Sequence, residues 1–444
     1  MKVKVVGAGL AGCEAAWRLA EEGFEVELCE MKPQQFSPAH RSPSFAELVC
    51  SNSLKANRLS SAAGLLKEEM RRLGSLTLEA ARHAAVGAGG ALAVDRGLFS
   101  EYVTQKIRSH PQIQVQEGEQ QEIPSGPAIV ATGPLTSDAL AAGIVRLCGD
   151  TLSFYDAAAP IVAADSIDTE RVFAAARYDR GEPDYLNCPM NRAEYEAFHA
   201  ALVEAETAKL HAFDRPVVYE GCMPIEILAR RGLDSIRFGP LKPVGLRDPR
   251  TGHRPWAVVQ LRRENALGTM YNLVGFQTNL KFLEQKRVFS MIPGLQDARF
   301  LRYGVMHRNT FLNAPKVLDA SFAFKGRPGL FFAGQMTGVE GYMESAMSGI
   351  WAGIGLSRQL RGLPPAIPPQ DTMSGALCRY VAEPNPDFQP MGCNMGLLPP
   401  LKEPIRDKQA RYGRIAQRAL ASLSAFLKQR GLEERPGEFP NEED

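Results

Sequence analysis

The chain opens on Lys2-Val3-Lys4-Val5-Val6, a short β-branched run, and passes straight into Gly7-Ala8-Gly9-Leu10-Ala11-Gly12. The residues that follow, CEAAWRLAEEG, have helical composition and stop at Gly23, a residue suited to a left-handed helix end. FEVELCEM then reads as a second strand with Glu30 near its end. Strand, GxGxxG turn, helix, strand and terminal acid together form the fingerprint of a dinucleotide-binding α/β unit. Gly7 permits the tight turn, Gly9 lets the backbone approach a pyrophosphate, and Gly12 lets helix pack on strand. Leu10 and Ala11 begin the helix, whose partly positive N-terminus suits that pyrophosphate. Glu30 lies 18 residues after Gly12, placed for a ribose hydroxyl, with Lys32 just beyond it. The bland alternative, a glycine-rich turn with no ligand, is weakened by this full context.

Three further stretches favour tightly held FAD over exchangeable NAD. AIVATGP (128–134) is a strand running into Ala131-Thr132-Gly133, a turn common where a chain passes a flavin. VDRGLFSEYVTQKIRSHPQIQVQEG (94–118) resembles the helix and strand that precede such a turn. GLFFAGQMTGVEGYMESAMSGIWAGIGL (329–356) is a strand, a glycine-rich turn and a helix of small residues. There Gly334, Gln335, Gly338, Gly341 and Tyr342 would bring backbone N–H groups and a helix N-terminus to the flavin ring or ribitol. Read alone, that stretch is also a Gly/Ala helix packed closely on a sheet.

Because these motifs fall near both ends of a long span, the expected fold class is α/β, a discontinuous Rossmann-like FAD-binding domain with an inserted α+β domain. The expected divisions are 1–155 and 326–362 for the FAD-binding parts, 156–325 for the insertion, and 363–444 for a C-terminal helical segment. At 444 residues, two or three domains are the ordinary outcome. Inside the insertion, RPVVYEG (215–221), SIRFGP (235–240) and WAVVQLR (256–262) read as strands. ERVFAAAR (170–177) and NRAEYEAFHAALVEAETAKL (191–210) read as helices, the second capped by Asn191. From Leu401 to Arg430 eight basic residues face two acidic ones, on a helix that either docks on the domain or presents Arg411, Arg414 and Arg418 to RNA.

A net charge of +1 neither demands nor forbids a nucleic-acid partner, so any RNA-binding face must be local. No apolar run is long enough to span a membrane, and the immediate strand leaves no room for a signal peptide. The eight cysteines are scattered, without CxxC pairs or zinc-ligand spacing, so no metal is expected and the thiols fit a reducing cytoplasm.

Two cysteines have unusual settings. Cys50 sits in AELVCSNSLKAN among small polar residues and near Lys55, a poor match to an apolar core. Cys222 sits in YEGCMPIEIL, in a turn after a predicted strand, with Glu226 close by. His307, in RYGVMHRNTFLNAP, is flanked by Arg302, Arg308 and Asn309. For each of the three, an inert buried thiol or a satisfied histidine is the ordinary alternative.

GAGLAGCEAAWRLAEEG, VCSNSLK, YEGCMPIE, RFGPLKPVGLRDPRTG, YNLVGFQTNLKFLEQKRVF and FAGQMTGVEGYMESAMSG together closely resemble the bacterial FAD- and folate-dependent tRNA uracil-5-methyltransferases. The resemblance runs from about residue 3 to beyond residue 400. A related family, the FAD-containing tRNA wobble-uridine modification enzymes, shares the flavin motifs but is longer.

The resemblance implies transfer of a methyl group to carbon 5 of the T-loop uridine of tRNA, with 5,10-methylenetetrahydrofolate as carbon donor, FAD as reductant and NADH or NADPH to re-reduce it. Such chemistry needs a thiol. Carbon 5 of uracil is a poor nucleophile until a thiolate adds to carbon 6. The resemblance implies catalytic roles for Cys222 and Cys50, the first as nucleophile and the second assisting, with their division of labour left open. It also implies that His307 closes a sandwich around the folate pterin, and that the insertion faces folate and tRNA, with Arg287 and Arg308 among candidates for the folate carboxylates. Two other classes remain: a small-molecule NAD(P)H-dependent FAD oxidoreductase, which the lack of a second GxGxxG unit disfavours, and a non-catalytic flavin-containing RNA-binding protein, which the two polar cysteine turns disfavour.

Overall fold

The computed structural model describes residues 2–149, 151–179, 182–208 and 223–435, leaving aside the side chains of residues 151–157, His307 and Arg308. The opening run becomes the strand Lys2–Val6, central in a five-stranded sheet. From one edge to the other the order is Leu330–Phe332, Ala128–Val130, Lys2–Val6, Glu25–Glu30 and Ile113–Glu117, with every pair parallel. Val3, Val5, Ile129, Val130, Leu330 and Phe332 are all buried, as expected of a parallel sheet covered on both faces.

The helix Leu10–Glu21 ends where predicted. Gly23 adopts φ +84°, its N–H donates to the Ala20 carbonyl at 2.8 Å, and Phe24 N–H reaches the Leu19 carbonyl at 3.1 Å. A second helix, Tyr342–Leu360, packs on this one at close range. A Cβ on Gly349 would overlap the Ala11 carbonyl, and one on Gly353 would lie 3.2 Å from the Arg18 Cβ. The small residues of 341–356 therefore serve close packing, chiefly against a helix. Around this contact Leu19, Ile350, Trp351 and Ile354 are buried, each worth about 1.5–3 kcal/mol on removal from water.

The insertion is built on a six-stranded antiparallel sheet in the order Phe173–Ala174, Tyr185–Met190, Ala257–Arg263, Met270–Leu273, Ile161–Ala163, Phe300–Arg302. It has its own core, in which Phe198, Phe276 and Phe289 meet. Its helix Arg192–Glu204 begins at Asn191 with a reciprocal capping box: Asn191 Oδ1 accepts the Glu194 N–H at 2.9 Å, and Glu194 Oε2 accepts the Asn191 N–H at 2.8 Å. The strands Thr151–Ala157 and Met306–Leu312 pair antiparallel and carry the chain between the two cores.

Two element expectations are corrected. ERVFAAAR is not a helix: Phe173–Ala174 forms an edge strand and Arg177–Asp179 a short 3-10 turn. Asn187 Nδ2 holds the carbonyls of Phe173 and Ala175 at 3.2 and 3.0 Å, and this pairing overrides the helical propensity of so short a run. SIRFGP is not a strand but a series of turns, with Phe238 N–H bonded to the Asp234 carbonyl at 2.9 Å and Leu241 N–H to that of Ile236 at 2.9 Å. Gly239 and Pro240 close it, and only Ile236 finds a core. WAVVQLR does form a strand, Ala257–Arg263, whereas RPVVYEG lies outside the described residues.

The basic tail becomes the helix Lys408–Arg430, capped by Asp407 Oδ1 on the Ala410 N–H at 2.7 Å. It docks through Ile415, Ala419, Leu423 and Phe426 on the core around the parallel sheet. Arg418 is turned inward, donating to the Pro399 and Pro400 carbonyls at 2.6 and 3.0 Å. Among the described residues no helix is long and apolar enough to cross a membrane.

Candidate active site

The turn after the first strand opens into a cleft lined by early and late parts of the chain. Gly7 has φ +98°, and a Cβ there would lie 2.6 Å from the Ala131 carbonyl oxygen. A Cβ on Gly12 would overlap the Gly7 carbonyl, so both glycines are needed by the protein itself. Gly9 differs: a Cβ there meets no atom within 4 Å. It faces the cleft, and the helix it begins has neither a side-chain cap nor an acid in its first turn. Uncapped N–H groups beside open space fit an anionic group.

Glu30 lines the same cleft. One of its carboxylate oxygens accepts the Ala8 N–H at 2.7 Å and the other the Lys32 N–H at 3.0 Å. Each oxygen keeps a lone pair for a hydroxyl. The cleft holds a cavity of about 180 Å³. Leu10, Ala11, Lys32 and Gly133 line it from the first part of the chain. Gly334, Gln335 and Tyr342 line it from the late glycine cluster. These features fit an extended dinucleotide such as FAD.

Gly12, Gly338 and Gly341 do not line the cleft. Gly338 and Gly341 have φ of +86° and +123°, and shape the turn before the helix Tyr342–Leu360. The Lys32 ammonium holds the Ser44 carbonyl at 2.5 Å and that of Ser42 at 3.2 Å.

Cys50 also lines the cleft, on a loop clamped from several sides. Tyr342 Oη accepts the N–H groups of Cys50 and Ser51 at 2.8 and 3.1 Å. Arg96 donates to the carbonyls of Leu48 and Cys50 at 2.6 and 3.2 Å, and to both oxygens of Glu264. Arg302 donates to the Val49 carbonyl at 2.7 Å. Arg262 holds Ser51 Oγ at 2.8 Å and Asn52 Oδ1 at 2.9 Å. Arg262 and Arg302 come from the inserted sheet and Glu264 directly follows its strand Ala257–Arg263, so the thiol loop is fixed where the two cores meet. Burial pushes the Tyr342 phenol well above its ordinary value, and Cys50 adds to this, so the hydroxyl stays protonated. Burial would lower the Arg96 guanidinium, yet Glu264 and its other neighbours leave it raised.

The model for glucose inhibited division protein A matches residues 2–364. A protein of Desulfitobacterium hafniense named methylenetetrahydrofolate–tRNA-(uracil-5-)-methyltransferase TrmFO is 57% identical over 97% of this chain and 99% of its own length. A Ligilactobacillus salivarius protein of the same name is 55% identical over 96% of this chain and 98% of its own. The chain belongs to the TrmFO family. Among solved structures, Aquifex aeolicus GidA superposes with a TM-score of 0.68 at 17% identity, covering 97% of this chain and 77% of that one, which is a likeness of fold.

The other predicted site residues of this TrmFO family member are placed less fully. Cys222 lies outside the described residues, and so does the His307 side chain. The backbone at His307 pairs with Asp156, and Asn309, two residues on, is buried and lines the cleft. The segment after Cys222 is firmly held: buried Glu226 accepts Thr278 Oγ1 at 2.9 Å and the Asn279 N–H at 2.8 Å. Burial raises the Glu226 carboxyl above its usual range in spite of those donors. Arg287 is exposed and paired with Glu284 at 2.6 Å. Among the described residues no three His, Cys, Asp or Glu side chains form a metal cage.

Nothing local in the sequence marks Arg96 and Glu264 as clamps of the thiol loop. Their partners lie 46 to 168 residues away.

Proposed function

We propose that this chain methylates carbon 5 of the T-loop uridine of tRNA, taking the one-carbon unit from 5,10-methylenetetrahydrofolate, with Cys222 and Cys50 as its working thiols. The observation that carries the reading is the position of Cys50, which lines the same cleft as Gly9 and Glu30 and sits on a loop clamped from several sides.

The residues that would hold FAD are Gly9, Leu10 and Ala11 at the pyrophosphate, Glu30 at a ribose, and Gly334, Gln335 and Tyr342 toward the far end. When bound, reduced FAD supplies the two electrons that turn a carbon at the formaldehyde level into a methyl group, and NADH or NADPH restores it. The protein's own part begins with the thiol. A cysteine adds to carbon 6 of uracil, making carbon 5 nucleophilic toward the folate-borne carbon, and leaves when carbon 5 loses its proton. Arg96, Arg302 and Tyr342 hold the Cys50 backbone in one position, so that little of the barrier is spent on ordering it. Arg96 and Arg302 also bring positive charge to the loop that carries Cys50. The uridine must leave its stack to reach this depth. His307 is assigned to the folate pterin, and the enzyme to the cytoplasm, where tRNA and reduced folates are found.

Incubation with labelled methylenetetrahydrofolate, NADH and unmodified tRNA should place label in 5-methyluridine. Label that appears only when S-adenosylmethionine is supplied would overturn this function.

A further inference from the structure

The helix Phe282–Phe289 and the segment 300–304 carry a three-ring ladder that the chemistry above does not use. Phe282 and Tyr303 stack with centroids 5.1 Å apart and planes 20° apart, and Tyr303 and Phe300 at 5.4 Å and 12°. The outermost ring is far from buried: Phe282 is 55% exposed, and its neighbour Leu283 is 82% exposed. A ring kept only for packing would be covered. Between Lys281 and Tyr303 there are five basic residues and two acidic ones, in a chain whose total is only +1. Lys281, Lys286, Arg287 and Arg299 are exposed, and Lys286 pairs with no acid among the described residues.

This ladder is tied mechanically to the thiol site. Gln285, on the same helix as Phe282, donates to the Gly304 carbonyl at 2.7 Å and accepts the Gly304 N–H at 2.8 Å. Arg302, beside Tyr303, holds the Val49 carbonyl next to Cys50. Thr278 and Asn279, just before the helix, hold Glu226 in the segment that follows Cys222. The rings therefore sit on the elements that anchor the flanks of both cysteines.

We propose that Phe282, Tyr303 and Phe300 form a stacking platform for an unpaired base of the substrate tRNA, beside the uridine that enters the cleft. Stacked, nearly parallel rings on a segment with a basic excess suit nucleobases and their phosphates, because every base presents a π face whatever its identity. The proposal rests on the tRNA-methylating reading given above.

The test uses the full chain, with Phe282→Ala, Phe282→Tyr and the unstacked control Leu283→Ala, and measures unmodified-tRNA binding at several fixed salt concentrations. Phe282→Ala should weaken binding roughly 5- to 150-fold, corresponding to about 1–3 kcal/mol per stacked base. Phe282→Tyr should bind as the parent does. The salt slope should not change, since no phosphate contact is removed. In turnover the loss should appear in KM for tRNA, with kcat and NADH oxidation unchanged. Unaltered tRNA binding by Phe282→Ala, an equal loss in Leu283→Ala, or a loss confined to KM for methylenetetrahydrofolate would each overturn the platform. A parent protein that methylates no tRNA would instead overturn the enzymatic reading on which it rests.

Discussion

Tyr342 Oη accepts the backbone N–H of Cys50 at 2.8 Å, a hydrogen bond between residues 292 positions apart that joins the late glycine cluster to the thiol loop. The same oxygen takes the Ser51 N–H at 3.1 Å. Removing it in Tyr342→Phe leaves two N–H donors without their acceptor. Each buried, unmade hydrogen bond costs about 1–3 kcal/mol, with relaxation of the loop lowering the total. Tyr342→Phe should therefore keep its flavin spectrum, melt at a lower temperature, and transfer methyl groups more slowly at saturating substrates. Full kcat in that variant would show that the hydroxyl does not position the thiol.

The two cysteines should separate by chemistry. Cys222→Ala should abolish methyl transfer while the protein stays yellow, because the proposed role of this thiol is at carbon 6 of uracil and not in flavin binding. Cys50→Ala should also lose turnover. Trapping with tRNA containing 5-fluorouridine, followed by denaturing electrophoresis, tells which sulfur forms the bond to uracil. Turnover retained in Cys222→Ala would remove its nucleophilic role.

Gly9 and Gly12 give a contrast that depends on the ligand. A side chain at Gly9 enters open space, whereas one at Gly12 collides with the Gly7 carbonyl. The backbone at Gly9 has φ −75°, which any residue can adopt. Gly9→Val should accordingly fold as well as the parent yet purify with little FAD, because its side chain occupies the path of the pyrophosphate. Gly12→Val should be destabilised with or without flavin. Absorbance near the flavin bands, set against thermal melting of the apoproteins, reads both effects, and normal FAD occupancy in Gly9→Val would contradict the dinucleotide assignment.

The parts legible in the sequence were those with local causes. The glycine turn, its helix and the strand ending in Glu30 follow from neighbouring residues, as does the Asn191 cap. ERVFAAAR misled because its fate was decided by Asn187 and the strand Tyr185–Met190, and no feature within the eight residues reports that edge. Phe311, Leu318, Phe322 and Phe324 pack in the flavin-side core although they fall within the expected insertion. Apolar residues state that they will be buried, not in which of two cores. For the site, Cys50 stood out because polar neighbours made it a poor core residue. Arg96 and Glu264 did not, since a lone arginine and a lone glutamate are ordinary until folding brings them together.

Glu69 should make stability depend on pH. Burial raises its carboxyl to about 7, against the donated hydrogen bonds of Met373 N–H, Ser374 N–H and Ser374 Oγ at 2.7, 2.7 and 2.6 Å. A folded-state value above the unfolded one means that the native state binds the extra proton. The associated stability is complete below about pH 4.5 and is lost as the pH rises through about 7. At 1.36 kcal/mol per unit the span is roughly 3 kcal/mol. Glu69→Gln has no such proton, so the difference between parent and variant melting temperatures should shift across this window. Parallel pH profiles would show that Glu69 titrates normally.

Lys55 and Glu344 test a buried charge. Glu344 is fully buried, its Oε1 accepting Lys55 Nζ at 2.8 Å and the Cys393 N–H at 2.9 Å, while Oε2 makes no hydrogen bond. Burial would raise this carboxyl, but Lys55 outweighs it and holds it below the usual range. Breaking such a pair leaves a charge without its partner, typically at about 3–5 kcal/mol. The Lys55 side chain is 48% exposed, and solvent screening brings the expected loss in Lys55→Met down to about 1–3 kcal/mol. Adding Glu344→Gln removes the stranded charge while the amide oxygen still receives the Cys393 N–H. The double variant should therefore be more stable than Lys55→Met alone, a coupling that denaturant titration of the four proteins measures directly. Strictly additive losses would mean that the carboxylate gains nothing from the lysine.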